Sequence, residues 1–192
     1  LQSMTEKEFV PRKATRYFDA RGNHISPDGG SLDLYRDPFL ELTTVKDGQG
    51  NTLTPYNRAT LAGDYLLQAN RYPYREIELV SSKRWDVFTG VYQQAIEISA
   101  LWGFHNRYDI AWMLSGDVVK NDPSISASAT ALTVADADEE DAMGFTPRFS
   151  PGNLLRIENE FLEVIGVDIS TNALKVLRGV NGTEAAIHAK EV

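Results

Sequence analysis

Short apolar runs that alternate with polar residues, each closed by a cluster of Gly, Pro, Asn or Asp, set the tightest limit on what this chain can fold into. A period of two places one face of a segment in a core and the other in water, which is the pattern of antiparallel sheet. Ile77 and Leu79 stand against Glu76 and Glu78, and Ile96, Ile98, Ala100 and Trp102 stand against Glu97 and Ser99. The runs are punctuated by Asp28-Gly29-Gly30, by Lys46 to Asn51 and by Tyr72-Pro73. Gly and Asn accept positive φ there and Pro presets a turn dihedral. The expected fold class is mainly β: two small antiparallel domains, sandwich-like or barrel-like, with little helix.

The expected organisation follows from where the pattern starts and stops. Residues 1–13 read as a tag remnant, Leu1-Gln2-Ser3 ahead of Met4, followed by an N-terminal arm that mixes charges without periodicity. Residues 14–108 read as a β domain with strands over 39–45, 75–80 and 95–102, and with Lys46 to Asn51 as a hairpin loop. Residues 109–125 read as a linker containing a short helical turn, with Asp109 as its N-cap and Ser115-Gly116 as its stop. The turn Asn121-Asp122-Pro123 marks the expected boundary. Residues 126–192 read as a small β barrel or sandwich module with strands at 132–134, 155–157, 161–167 and 173–177. Within it, 136–143 and 184–190 read as helical or irregular.

Composition narrows the function. The 192 residues carry 19 Lys+Arg against 27 Asp+Glu, a formal net charge of −8. Duplex binding draws its affinity from Lys and Arg that release phosphate counterions, so no sequence-specific nucleic-acid partner is expected. The absence of cysteine removes disulfides, thiolate catalysis and Cys-based metal sites. No run approaches the roughly 18 apolar residues of a membrane helix, and no membrane partner is expected. His24, His105 and His188 fall in separate segments and read as surface or loop residues, with no metal motif around any of them. The acidic run Asp136 to Asp141 lacks the glycine that a calcium loop needs at its sixth position, and reads as a solvated loop. Glu76, Glu78, Glu97, Glu158, Glu160 and Glu163 offer carboxylates for glycoside hydrolysis only if two of them converge in a cleft. With no nucleophile elbow and no phosphate-binding glycine loop, the expectation is no enzyme, no catalytic residue, no metal and no cofactor.

The aromatics crowd into 85–112: Trp85, Phe88, Tyr92, Trp102, Phe104, Tyr108 and Trp112. Such a cluster in a β domain is usually core. Trp112, Trp85 and Tyr108 are the candidates for a protein–protein interface, Trp112 foremost because it lies beyond the strand.

The runs Ser128 to Val134, Leu154 to Val164 and Leu174 to Ala189 together resemble a β module of tailed-bacteriophage and prophage virion proteins. The most specific piece is Arg178-Gly179-Val180-Asn181-Gly182-Thr183 with Ala185 and His188. Residues Arg16 to Asp19, Leu40 to Val45 with Asp47-Gly48, and Ala95 to Phe104 are similar to the β part of phage head–tail connector (adaptor) proteins. The two matches span about 14–110 and 126–189. The resemblance implies a non-enzymatic structural subunit of the virion neck, found in the virion and in the host cytoplasm during assembly. It also implies a homo-oligomeric ring, with the portal and tail completion proteins as partners. An acidic ring wall would let DNA slide past. The rival readings are a tail or baseplate module that binds a glycan through exposed aromatics, and a carbohydrate-degrading tail enzyme whose carboxylates converge, with Glu158, Glu160 and Glu163 as the ones to watch.

Overall fold

The computed structural model describes residues 10–68, 71–80, 83–85 and 90–192. The protein is all-β, built from several small antiparallel sheets, and it divides into two compact units, residues 1–111 and 112–192. Phe88 and the first nine residues, which include the expected tag remnant and most of the arm, lie outside the described residues.

The described residues of unit 1 form two sheets. The first pairs β1 (Arg12–Phe18), β7 (Ile96–Trp102), β3 (Phe39–Lys46) and β4 (Thr52–Leu53) in that order. The second pairs β2 (Ser31–Asp33), β6 (Glu76–Leu79) and β5 (Tyr65–Gln68). The alternation in β7 turns Ile96, Ile98, Ala100 and Trp102 fully inward, and that in β6 buries Ile77 and Leu79. They meet Leu32, Phe39, Val45 and Trp85 in one core. Trp102 is fixed by an indole N–H donated to the carbonyl of Ala14 at 2.8 Å. The loop between β3 and β4 closes as a hairpin because one Asp47 carboxylate oxygen takes the amides of Gln49 and Asn51, both at 2.9 Å.

Two expectations are corrected in unit 1. Arg12 and Lys13 belong to β1 and not to an arm: Arg12 pairs with Trp102, and the register runs unbroken to Phe18 opposite Ile96. β1 is an edge strand that buries only its last residue, Phe18, so no period-two apolar pattern marks its strand character in the sequence. The helical turn expected from Asp109 is a single 3-10 turn at Tyr108–Ile110, with Arg107 in the N-cap position and no side-chain cap. Ile110, Met113 and Leu114 are all exposed and Tyr108 alone of the turn is buried, too little apolar contact to extend it into a helix.

Unit 2 pairs β10 (Leu154–Ile157), β11 (Glu160–Asp168), β12 (Ala173–Leu177) and β9 (Ala131–Thr133) in one sheet, and β8 (Ser124–Ile125) with β13 (His188–Ala189) in a second. Leu132, Leu162, Val164, Leu174 and Val176 form its core, together with Val119 and Ile125. Residues 112–125 are therefore an integral part of this unit and not a linker. The division at Ala111/Trp112 precedes the expected boundary at Asn121 to Pro123, because single buried residues such as Val119 carry no periodic signal. Asn121 itself is tied into the unit, its side-chain oxygen accepting the amide of Thr133 at 2.7 Å.

The charge is divided unevenly. Unit 1 has 13 Lys+Arg and 14 Asp+Glu, a net of −1, while unit 2 has 6 and 13, a net of −7.

Candidate functional site

The chemistry-bearing side chains of unit 2 gather in two buried networks. In the first, β11 opens on Glu160, which is 1% exposed. Its Oε1 accepts Arg178 Nε at 2.6 Å and the Gly179 amide at 3.0 Å. Its Oε2 accepts Arg178 Nη2 at 2.7 Å, the Ala186 amide at 2.9 Å and His188 Nε2 at 2.8 Å. Burial pushes this carboxyl up, but the Arg178 guanidinium, the Ala186 amide, the His188 ring and the Gly179 amide outweigh burial and bring it down to about 2. Arg178 is bidentate on the carboxylate, the strongest geometry for such a pair, and its Nη1 also donates to the Ser126 carbonyl at 2.9 Å.

The local sequence builds this cluster. Gly179 takes φ +61, and a Cβ there would stand 3.0 Å from the Thr183 carbonyl and 3.1 Å from the Ala185 nitrogen. Only glycine lets the chain double back so that both the 179 and 186 amides reach one carboxylate. Thr183 fastens the turn, its Oγ1 accepting the Phe161 amide and donating to the Val180 carbonyl, both at 2.9 Å. The run Arg178 to Thr183 with His188, which carries the resemblance, is thus an internal clasp.

His188 is the residue that sequence reasoning misplaced. It is 1% exposed and sits between two carboxylates, Nδ1 at 2.9 Å from Glu158 Oε2 and Nε2 at 2.8 Å from Glu160 Oε2. The ionised Glu160 carboxylate only accepts, so Nε2 is the donor of that bond. The one usable signal was its membership in the Arg178 run, because its partners lie 28 and 30 residues away. His24 and His105 are exposed, in line with the sequence reading. Of the three carboxylates to watch, Glu158 and Glu160 converge on His188, whereas Glu163, also on β11, stands in register with Leu154 and Leu177. Glu160 is enclosed, with five donors on its two oxygens, which leaves it no access to a substrate.

In the second network the acidic run wraps a cation. Arg148, itself nearly buried, donates through Nη1 to Asp117 at 3.0 Å and through Nη2 to Glu139 at 2.8 Å, and its Nε donates to the Glu140 carbonyl at 3.0 Å. Burial raises the Asp117 carboxyl, but the amides of Asp136, Ala135 and Val118 and the Arg148 guanidinium bring it below its ordinary value. The loop is therefore folded around Arg148. Among the described residues, no group of three or more His, Asp or Glu is placed to hold a metal ion.

The surface of unit 2 also has an apolar groove of about 450 Å³, walled by Trp112, Val118, Phe149 and Leu155 and edged by Met113 and Leu114. Leu114 is 85% exposed. Trp112, the foremost interface candidate, is half-buried: its ring lies 5.3 Å from that of Phe161, and the Arg156 guanidinium lies 5.8 Å from both ring centroids. The other two candidates are corrected. Trp85 is 1% exposed inside the unit 1 core, and Tyr108 is buried with its hydroxyl donated to Glu41 at 2.7 Å, so neither presents its ring to a partner.

No family model matches the sequence, and no curated protein or solved structure is significantly similar to it.

Proposed function

We propose that the chain is a structural subunit of a tailed-phage or prophage neck, of the head–tail connector class, and that it works through protein–protein contacts. The observation that carries this reading is the Arg178 to His188 run. It is the piece that resembles phage virion modules, and its polar side chains are engaged inside the unit, where they hold a fold together. The apolar groove at Trp112 to Leu114 supplies a surface suited to a neighbour, since exposed apolar patches mark interaction sites. The net charge of −7 on unit 2 suits a part that lies near DNA without holding it.

The test is to mix the full chain with the portal protein of the phage or prophage that carries its gene and follow sedimentation and electron microscopy of the mixture. A defined complex in which the chain decorates the portal ring is the expected result. A chain that sediments separately from the portal at every concentration tried overturns the reading.

A further inference from the structure

We infer that a single proton shared by His188 and Glu158 latches the β10–β11 turn to β13, and that its loss as pH rises opens the latch. The latch is a property of unit 2 alone and does not depend on the neck reading. It follows from a count of protons. Glu160 holds an ionised carboxylate, so the 2.8 Å bond to it fixes a hydrogen on His188 Nε2. The other ring nitrogen, Nδ1, lies 2.9 Å from Glu158 Oε2. A hydrogen bond there needs a second proton, either on Nδ1 facing a carboxylate or on Glu158 facing the Nδ1 lone pair. Whichever atom carries it, the bond contains one proton. Without that proton a lone pair meets a carboxylate oxygen, two acceptors with nothing between them, and the contact turns repulsive.

The surroundings decide which side moves. The His188 side chain is 1% exposed, and Nε2 keeps it on Glu160, which Arg178 grips with two bonds. Glu158 is 58% exposed on the two-residue turn between β10 and β11. Among the described residues its carboxyl has no hydrogen-bond partner besides His188. Loss of the proton therefore sends the Glu158 carboxylate to water and leaves the buried Nδ1 unpaired, which loosens the seat of the ring and with it β13. The charged groups facing the ring are thus Glu158 from the turn, Glu160 from β11, and Arg178 through Glu160. Other charges nearby are bonded elsewhere: Lys190, just past β13, donates to Asp122, just before β8, at 2.8 Å, and Arg156 Nε donates to the Glu158 carbonyl at 3.0 Å. Release also reaches the apolar groove, because Glu158 lines it and the pair becomes one charge more negative.

The test is an NMR titration of the full chain, with histidine ring nitrogens and glutamate carboxyl carbons labelled. It runs from about pH 5 to about pH 9, bracketing the ordinary imidazole range, over which Glu160 stays ionised. The His188 Nδ1 and Glu158 carboxyl signals are expected to shift together with one midpoint. Amide exchange at Ala189 and Lys190, corrected for its intrinsic pH dependence, is expected to quicken at that same midpoint by about fivefold or more. In Glu158→Gln the side-chain amide can donate to a bare Nδ1 or accept from a protonated one, so exchange should stay slow throughout. In Glu158→Ala it should be fast throughout. Lys190→Gln, which breaks the neighbouring ion pair instead, should keep the step and its midpoint. Separate midpoints for Nδ1 and Glu158, an exchange step that survives in Glu158→Gln, or no step in the unaltered chain overturns the inference. The titration of the unaltered chain decides the matter even where a variant fails to fold.

Discussion

Burying Glu160 raises the free energy of its charge, and the five donors around it lower that free energy again. The balance has a definite sign with pH. The folded carboxyl titrates at about 2 against an ordinary value of 4.5, so its stabilisation is complete above pH 4.5 and is lost as pH falls toward 2. The full swing is about 3 kcal/mol. Thermal unfolding of unit 2 should therefore occur at steeply lower temperature as the pH falls from 4.5 to 2. In Glu160→Gln that acid limb should flatten, and at neutral pH the variant should lose ~3–5 kcal/mol because Arg178 stays buried beside a neutral group. Thr183→Val is the gentler probe. It keeps the shape and removes the acceptor of the Phe161 amide, so denaturant titration should register a loss of ~1–3 kcal/mol with the fold retained.

Elements in this protein are held as much by their turns as by their ladders. The segment entering β5 passes through Gly63 at φ +128, where a Cβ would lie 2.5 Å from both the Pro55 carbonyl and the Tyr56 Cα. Gly63→Ala cannot be absorbed by a side-chain rotation, because the obstacle is backbone; unit 1 should lose more than ~2 kcal/mol in calorimetry, with unit 2 unaffected. At this scale the sequence was most legible where period-two alternation met a turn. The runs read over 39–45, 95–102 and 173–177 are β3, β7 and β12 nearly residue for residue. It was least legible where pairing is long-range. Arg12 and Lys13 look like part of a charged arm until β7, more than 80 residues on, aligns them. The candidate site divides in the same way: the Arg178 run was visible as a unit, but Glu160 looked like one more carboxylate near a turn, because nothing local shows that the chain brings it against Arg178 and His188.

For the whole molecule, the informative fact is that, among the described residues, the two hydrophobic clusters share no residue: one draws on Phe18 to Trp102 and the other on Val119 to Val176. Separate cores unfold as separate cooperative units. Calorimetry of the full chain should therefore show two transitions, and Glu160→Gln should shift only one of them; a single transition that moves as a whole with that substitution would contradict the two-core description.

The β8–β13 pairing has a practical corollary. The Val119 amide donates to the Val192 carbonyl at 3.1 Å and the Glu191 amide to the Val119 carbonyl at 2.8 Å, so the contact continues on either side of the β8–β13 pair. Two stretches more than 60 residues apart in sequence thereby seal each other's backbone groups, and releasing either one would leave the other's amides and carbonyls to water. The clasp opens on both sides or on neither.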